Sequence, residues 1–375
     1  MESLLKEKQR RGQNTSKGQK QYSRFSDPHV SHSHEAQEVL RSYNLQDCDF
    51  GKQVTTTLNS RNFIGAMWLV VELGDADTGN NYCEHVGMKL VEDLTWRFAG
   101  RSFHKWDYDT VAYCTLQKYK DDQKKGEVLR LAGGSAKVNP GKVIVPLYNY
   151  FSPYNKEDIQ HGPCWTNGAS NARLELEIKF RAKADLCTGH TSATMDSVTL
   201  YYQEILVGPA IENSFRNRDR LRPRIEYNQI SDVSFAAGVQ KEVDISSLVS
   251  GGNIRQLIIK SDVGAAATLQ PFATARPTTS MLKINGVELF DEAEPILSQW
   301  MLLHGYDLDE NEDQPYCIPF CQNPQGRDSS GYLPSSNDKA TLHLTFASDQ
   351  TVQIYAEYEK MFKVVNNGRI EKTDS

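Results

Sequence analysis

From about Gln53 onward the chain consists of short apolar or alternating runs separated by clusters of Gly, Asn, Asp and Pro, the pattern of strands joined by turns. The pattern predicts first-half strands at AMWLVVEL (66–73), MKLVEDLTWRF (88–98), VAYCTLQKY (111–119), KVIVPLYNYF (142–151), ARLELEIKFRA (172–182) and SVTLYYQEIL (197–206). In ARLELEIKF, Leu174, Leu176, Ile178 and Phe180 alternate with Arg173, Glu175, Glu177 and Lys179, so one face is buried and the other is wet. No long helical periodicity competes. The pattern breaks at GPAIENSFRNRDRLRPR, where Arg216, Arg218, Arg220, Arg222 and Arg224 recur at every second position beside Gly208, Pro209 and Pro223. This stretch reads as an interdomain connection, its arginines either an intersubunit salt-bridge strip or a solvated edge. Strand-like runs resume at VSFAAGV (233–239), KEVDI (241–245), IRQLIIKS (254–261), SMLKINGVELF (280–290), YCIPF (316–320), ATLHLTFA (340–347) and TVQIYAEYEKMF (351–362).

The two halves repeat weakly and in the same order. Val91-Glu92-Asp93 precedes Leu94 as Ile284-Asn285-Gly286 precedes Val287, and VPLYNYF around Pro146 matches CIPF around Pro319. ARLELEIKF then matches ATLHLTFAS, and TLYYQE matches QIYAEY. The offset shrinks along the chain, as equivalent strands with shorter loops in the second half require. Duplication of one β fold is the economical reading.

Length and composition agree with this. At 375 residues, with 17 Tyr, 14 Phe and 5 Trp, the chain has room and aromatic content for two β domains with good cores. The longest apolar run, Ile64 to Val71, is far short of the roughly 20 residues that cross a bilayer. No signal-like apolar core precedes it, which reads as a soluble, non-secreted chain. Seven Cys at irregular spacing, with no CxxC pair, read as reduced thiols in a reducing compartment. The net charge of −6 is uneven: residues 1–25 hold seven cations against Glu2 and Glu7, a net of +5, and leave −11 for the rest. Residues 1–35 are rich in Gln, Ser, Lys and His, a tail with at most one short helix at ESLLKEKQRR. Such a tail either meets nucleic acid or anionic lipid, or is simply solvated.

The candidate chemistry is thin. His32, His34 and Glu35 form an HxHE metal pattern, but it sits in the polar tail with no completing histidine. The run Asp307, Asp309, Glu310, Glu312 and Asp313 begins like a calcium loop, yet Glu312 stands where Gly is needed and Ile318 where Glu is needed. GGSAKVNPGKV fails as a phosphate loop because Ala136 replaces its first Gly and Val143 its Ser or Thr. Cys317 and Cys321 lack a second ligand pair and read as structural thiols. The aromatic loop 151–171, with Trp165, reads as an interface plug, a surface that stacks sugars or a plain exposed loop, and a glycosidase-type carboxylate pair stays open because such pairs meet only in the fold. No catalytic, cofactor-binding or metal residue is assigned.

The second half also carries a resemblance. An Asn-Gly turn followed by Phe (Asn285, Gly286, Phe290), Trp300, a Tyr-to-Phe strand (Tyr316, Phe320), Pro324, Ser330-Gly331, Ser336, Asp338 and the alternating Leu342 and Leu344 resemble, in that order, the C-terminal jelly roll of double jelly-roll major capsid proteins. These form the shells of large icosahedral eukaryotic DNA viruses, virophages and polinton-like elements. VIVPLYNYFSP and ARLELEIKF are similar to first-half strands of the same family, and the resemblance spans about residues 50–365. The chain departs from many relatives in having YCIPF for an aromatic-rich strand, Leu333-Pro334-Ser335-Ser336 where an Asn-Phe-Ser triplet precedes the Asp, and short loops.

The resemblance implies an all-β chain of two tandem antiparallel jelly rolls. It divides as an N-terminal arm (1–50), a first roll (51–210), a linker (211–225), a second roll (226–365) and a C-terminal tail (366–375). It implies a non-enzymatic subunit without cofactors, assembled inside the host cell into the virion shell. Three chains would make a pseudo-hexagonal homotrimer that contacts other trimers and minor or penton proteins. The basic arm would face inward, towards a membrane or the genome. The alternative function is a two-jelly-roll glycan-binding protein or glycan amidase or hydrolase.

Overall fold

A computed structural model describes residues 37–58, 63–98, 101–108, 111–112, 122–147, 164–165, 174–189, 191–209, 220–249, 253–261, 277–292, 316–320, 338–365 and 369–372. These residues are mostly antiparallel strands in four sheets. The first half supplies β1 (Gln37–Asn44), β2 (Gln53–Leu58), β3 (Phe63–Leu73), β4 (Val91–Phe98), β5 (Arg101–Asp107), β6 (Gly141–Leu147), the two-residue β7 (Cys164–Trp165), β8 (Leu174–Phe180) and β9 (Met195–Leu206). One of its sheets runs β1-β9-β3-β6, with β7 on β3, and the other runs β2-β8-β4-β5. Both sheets contribute to one core, with Leu69 and Val71 from β3 meeting Leu94 and Trp96 from β4 and Leu176 and Ile178 from β8. Each such fully buried large side chain contributes roughly 1.5–3 kcal/mol relative to exposure.

The second half supplies β10 (Arg220–Phe235), β11 (Lys241–Asp244), β12 (Asn253–Ser261), β13 (Thr279–Ile284), β14 (Val287–Glu292), β15 (Tyr316–Pro319), β16 (Ala340–Thr345), β17 (Gln350–Val365) and β18 (Arg369–Lys372). Its sheets run β10-β17-β12-β15, with β18 on β17, and β11-β16-β13-β14. A separate core gathers Leu257 and Ile259, Leu282 and Ile284, Leu342 and Leu344, and Ile354 and Tyr358. Among the described residues, with β7 and β18 set aside, each half has eight strands in the same two orders, first-eighth-third-sixth and second-seventh-fourth-fifth. The internal repeat in the sequence is therefore a repeat of topology.

Three of the four matched segments fall on equivalent strands: β6 with β15, β8 with β16, and β9 with β17. The fourth does not. Val91-Glu92-Asp93 opens β4, whose counterpart is β13, whereas Asn285-Gly286 is the turn that follows β13. A short apolar run with a polar interruption looks the same at a strand start and at a hairpin turn.

Other expectations need correction. The expected arm extends to residue 50, but β1 pairs with β9 from Gln37. The expected linker extends to residue 225, but β10 begins at Arg220 and places Arg220, Arg222 and Arg224 at alternate register positions opposite Val364, Phe362 and Lys360. Of the strand expected at 111–119, only Val111 and Ala112 are described, and they are helical. Met88 and Lys89 belong to a short helix, α1 (Val86–Lys89), ahead of β4. A ten-residue helix, α2 (Asp122–Leu131), occupies a polar segment in which the pattern predicts none. VSFAAGV is strand only to Phe235, and the chain then turns at Gly238, with φ 68°.

Candidate functional site

The sandwiches offer two kinds of surface, sheet edges and end loops. Proline marks the edges because it cannot donate to a ladder. Pro146 lies in β6, Pro223 in β10 and Pro319 in β15, each an outermost strand of its sheet path. The remaining edge of the first sheet is β1, which carries two large apolar side chains in solvent, Leu40 at 57% exposure and Tyr43 at 55%. They lie on opposite faces of the strand, so the edge is apolar on both sides. Arg41 donates through Nε to Glu204 of β9 at 2.7 Å, and Glu204 is itself buried. That bond ties the edge strand to the sheet.

At one end of the first sandwich the β3–β4 connection is held by backbone hydrogen bonds from two other loops. Ala76 N donates to Val138 O, Tyr82 N to Lys137 O, Cys83 N to Leu186 O, His85 N to Gly134 O and Gly87 N to Ala132 O. Asp77 clamps the third loop by accepting from Thr191 N at 3.0 Å and Ser192 N at 2.8 Å, with the Ser192 hydroxyl as a further donor. Those donors, the Ser192 hydroxyl first, hold the Asp77 carboxyl below its ordinary range. A side chain at Gly87 would meet the backbone oxygens of Ala132 and Ile144 at 3.0 Å, so the loops pack as closely as backbone allows.

In the second sandwich the β13–β14 hairpin turns on Asn285 (φ 52°) and Gly286 (φ 79°), both left-handed, as a two-residue primed turn requires. The Asn285 side chain closes a clasp: Nδ2 donates to Asp338 Oδ1 at 2.7 Å, and Oδ1 accepts from Lys339 N at 2.9 Å. Backbone bonding continues it, with Asn285 N donating to Lys339 O at 2.8 Å. The Asn-Gly pair marks this turn in the sequence. The clasp leaves no such mark, since its partners lie 53 and 54 residues away.

The second sandwich also buries charge. Every residue from Ile254 to Lys260 of β12 is buried, as are Ile354 to Tyr358 of β17, so this sheet is shielded on both faces. On the face away from the core, Gln256 Nε2 donates to Glu357 Oε2 at 2.8 Å, and Arg255 Nε lies 3.9 Å from Glu357 Oε1.

Of the candidate residues read from the sequence, the Gly-Lys segment falls in the end loops of the first sandwich and Cys317 in the edge strand β15. His32, His34, Glu35, the acidic run 307–313, Cys321 and most of loop 151–171 lie outside the described residues. Trp165 pairs with Phe63 through the backbone of β7. The Gly-Lys segment 133–143 forms the connection from α2 into β6, with Gly133, Gly134 and Gly141 at positive φ. Cys317 is buried in β15, and burial pushes the Cys83 thiol up to about 11, away from reactivity. Among the described residues no group of three or more His, Cys, Asp or Glu is placed to hold a metal ion.

No protein-family profile and no curated protein matches the sequence. Solved structures do match. The fold superposes on the capsid protein of PBCV-1 with a TM-score of 0.68 at 13% identity, covering 92% of this chain and 99% of that one. The Faustovirus major capsid protein matches with a TM-score of 0.63 at 9% identity, over 90% of this chain and 92% of that one. A Sputnik virophage chain matches at 0.61 and 8% identity, over 93% and 91%. The chain has the double jelly-roll fold. The expected architecture of two tandem antiparallel jelly rolls is thereby met, and the resemblance in the sequence holds at the level of fold. The solved double jelly rolls it resembles are shell proteins, and they span the length of this one.

Proposed function

We propose that the chain is the major capsid protein of an icosahedral DNA virus, a non-enzymatic subunit that acts by assembling with copies of itself. The observation that carries this reading is the pair of topologically identical sandwiches with separate cores in one chain, in a fold shared with the solved capsid proteins of PBCV-1 and Faustovirus. Two similar sandwiches per chain become six when three chains associate around an axis, which gives a near-hexagonal outline that tiles a flat facet. Function of this kind requires complementary rims and buried interface area rather than turnover. The apolar β1 edge is one such rim, since a strand at the end of its sheet path with exposed Leu40 and Tyr43 favours a protein partner.

The N-terminal segment, with its net charge of +5 over residues 1–25, would lie on the inner side, towards a membrane, the genome or a minor protein. Trimer-to-trimer contacts and contacts to penton proteins would complete a virion shell assembled within the host cell. Negative-stain imaging of the purified chain tests the proposal: hexagonal particles of uniform size are expected. A field of single two-lobed monomers at micromolar concentration would refute it.

A further inference from the structure

The Asn285-Gly286 turn carries chemistry that shell assembly does not use. An asparagine followed by glycine can lose its side-chain amide, because no side chain on the glycine hinders attack by the glycine nitrogen. Three observations bear on this pair. The turn is open to solvent, with Asn285, Gly286 and Val287 exposed and nothing within 4 Å of where a Gly286 side chain would begin. The Asn285 amide is held at both ends, Nδ2 by Asp338 and Oδ1 by Lys339 N, on a segment far away in sequence. The acceptor of the Nδ2 proton is a carboxylate, so its bond is charge-assisted.

We propose that Asn285 is a latent deamidation site, and that the clasp to Asp338 and Lys339 sets its rate. In the reaction hydroxide removes the Gly286 amide proton and the nitrogen attacks Cγ of Asn285. The Cγ–Nδ2 bond breaks and ammonia leaves, taking a proton from water. One water then opens the cyclic imide to aspartate or isoaspartate. Attack requires Cγ to swing over the Gly286 nitrogen, which it cannot do while both amide atoms are held. Opening the clasp is therefore the gate.

The product cannot re-form the clasp. A carboxylate at 285 has no proton to donate and faces the Asp338 carboxylate, so attraction becomes repulsion. An isoaspartate would also lengthen the backbone of a two-residue turn. The β13–β14 turn would then lose its Nδ2 bond to Asp338 ahead of β16, while the backbone ladder between β13 and β16 remains, and β14 is the last strand of its sheet. The modification is thus a one-way loosening of one end of the second sandwich.

Peptide mapping by mass spectrometry, with isoaspartate quantified at residue 285 during incubation at mildly alkaline pH, tests this. Three samples are compared: the full chain, its Asp338→Ala variant, and a synthetic peptide spanning residues 279–292. The peptide is expected to deamidate fastest and the full chain slowest. The variant should be faster than the full chain by roughly tenfold, the factor for losing one charge-assisted hydrogen bond. Equal rates in peptide and full chain would overturn the gate, and a peptide that stays intact would overturn the site. Equal rates in Asp338→Ala and the full chain would overturn the clasp as the gate, and should that variant fail to fold, Asp338→Asn, which removes the charge on the acceptor, makes the same comparison.

Discussion

The most consequential single residues are those whose environment contradicts their chemistry. Glu357 is fully buried in β17 beside Gln256 and Arg255. Removing one member of a buried ion pair leaves charge without compensation, so Glu357→Ala is expected to cost about 3–5 kcal/mol in urea unfolding. Glu357→Gln, which keeps an acceptor for Gln256, should cost less, and equal losses would show that the charge, which both variants remove, carries the whole effect and the acceptor none. Nothing in the sequence marks Glu357 as buried. In TVQIYAEYEKMF it occupies the wet phase of an alternating strand, and the structure shields both faces of that sheet. Leu40 is the opposite case, an apolar side chain at 57% exposure on an edge strand. Leu40→Glu should leave stability within about 0.5 kcal/mol of the parent. The same change should weaken self-association in sedimentation, and unchanged association would remove β1 from the interface.

At the scale of elements, the strands with clean alternation are legible in the sequence and those without it are not. β8 reads buried and half-buried in strict turn from Leu174 to Phe180, as its sequence requires. β1 (QEVLRSYN) and β2 (QVTTTL) have too few apolar residues to signal a strand, and they form because β9 and β8 offer open ladders beside them. α2 escapes the pattern for a related reason, since DQKKGEVLRL shows little apolar stripe. The loops that close the first sandwich are wholly illegible, because their bonds join segments around residues 76, 137 and 190.

One of those bonds gives a pH prediction. The Asp77 carboxyl titrates below its unfolded range because Ser192 and Thr191 donate to it, so its contribution is complete above the unfolded carboxylate pKa and is lost as pH falls through the depressed folded value. Asp244 at the head of the short helix Ser246–Val249 behaves alike, held down by the Ser246 hydroxyl and then its N–H. The thermal midpoint should therefore fall on acidification, with a shallower acid limb in Asp77→Asn. Superimposable limbs for the two proteins would show that Asp77 does not contribute.

For the whole molecule, the duplication is written in the order of the sequence's pieces, while the geometry belongs to the fold. Matches at Pro146 and Pro319, and at Leu174 and Leu342, are enough to reveal two copies, because edge prolines and inward leucines are fixed by position in the sandwich. The rims that would join subunits are not visible there, since an interface is a property of neighbours that one sequence does not contain. Removal of residues 1–35 stops short of β1 at Gln37 and should leave the sandwiches and their trimer intact while impairing shell assembly. Loss of folding in that truncation would contradict its reading as an appended arm. The central claim, that three copies of a duplicated sandwich make a six-sided unit, is tested most directly by light scattering coupled to size exclusion. A single species at three times the 42.4 kDa chain mass, stable to dilution, is the predicted result. A stable monomer or dimer under the same conditions would contradict it.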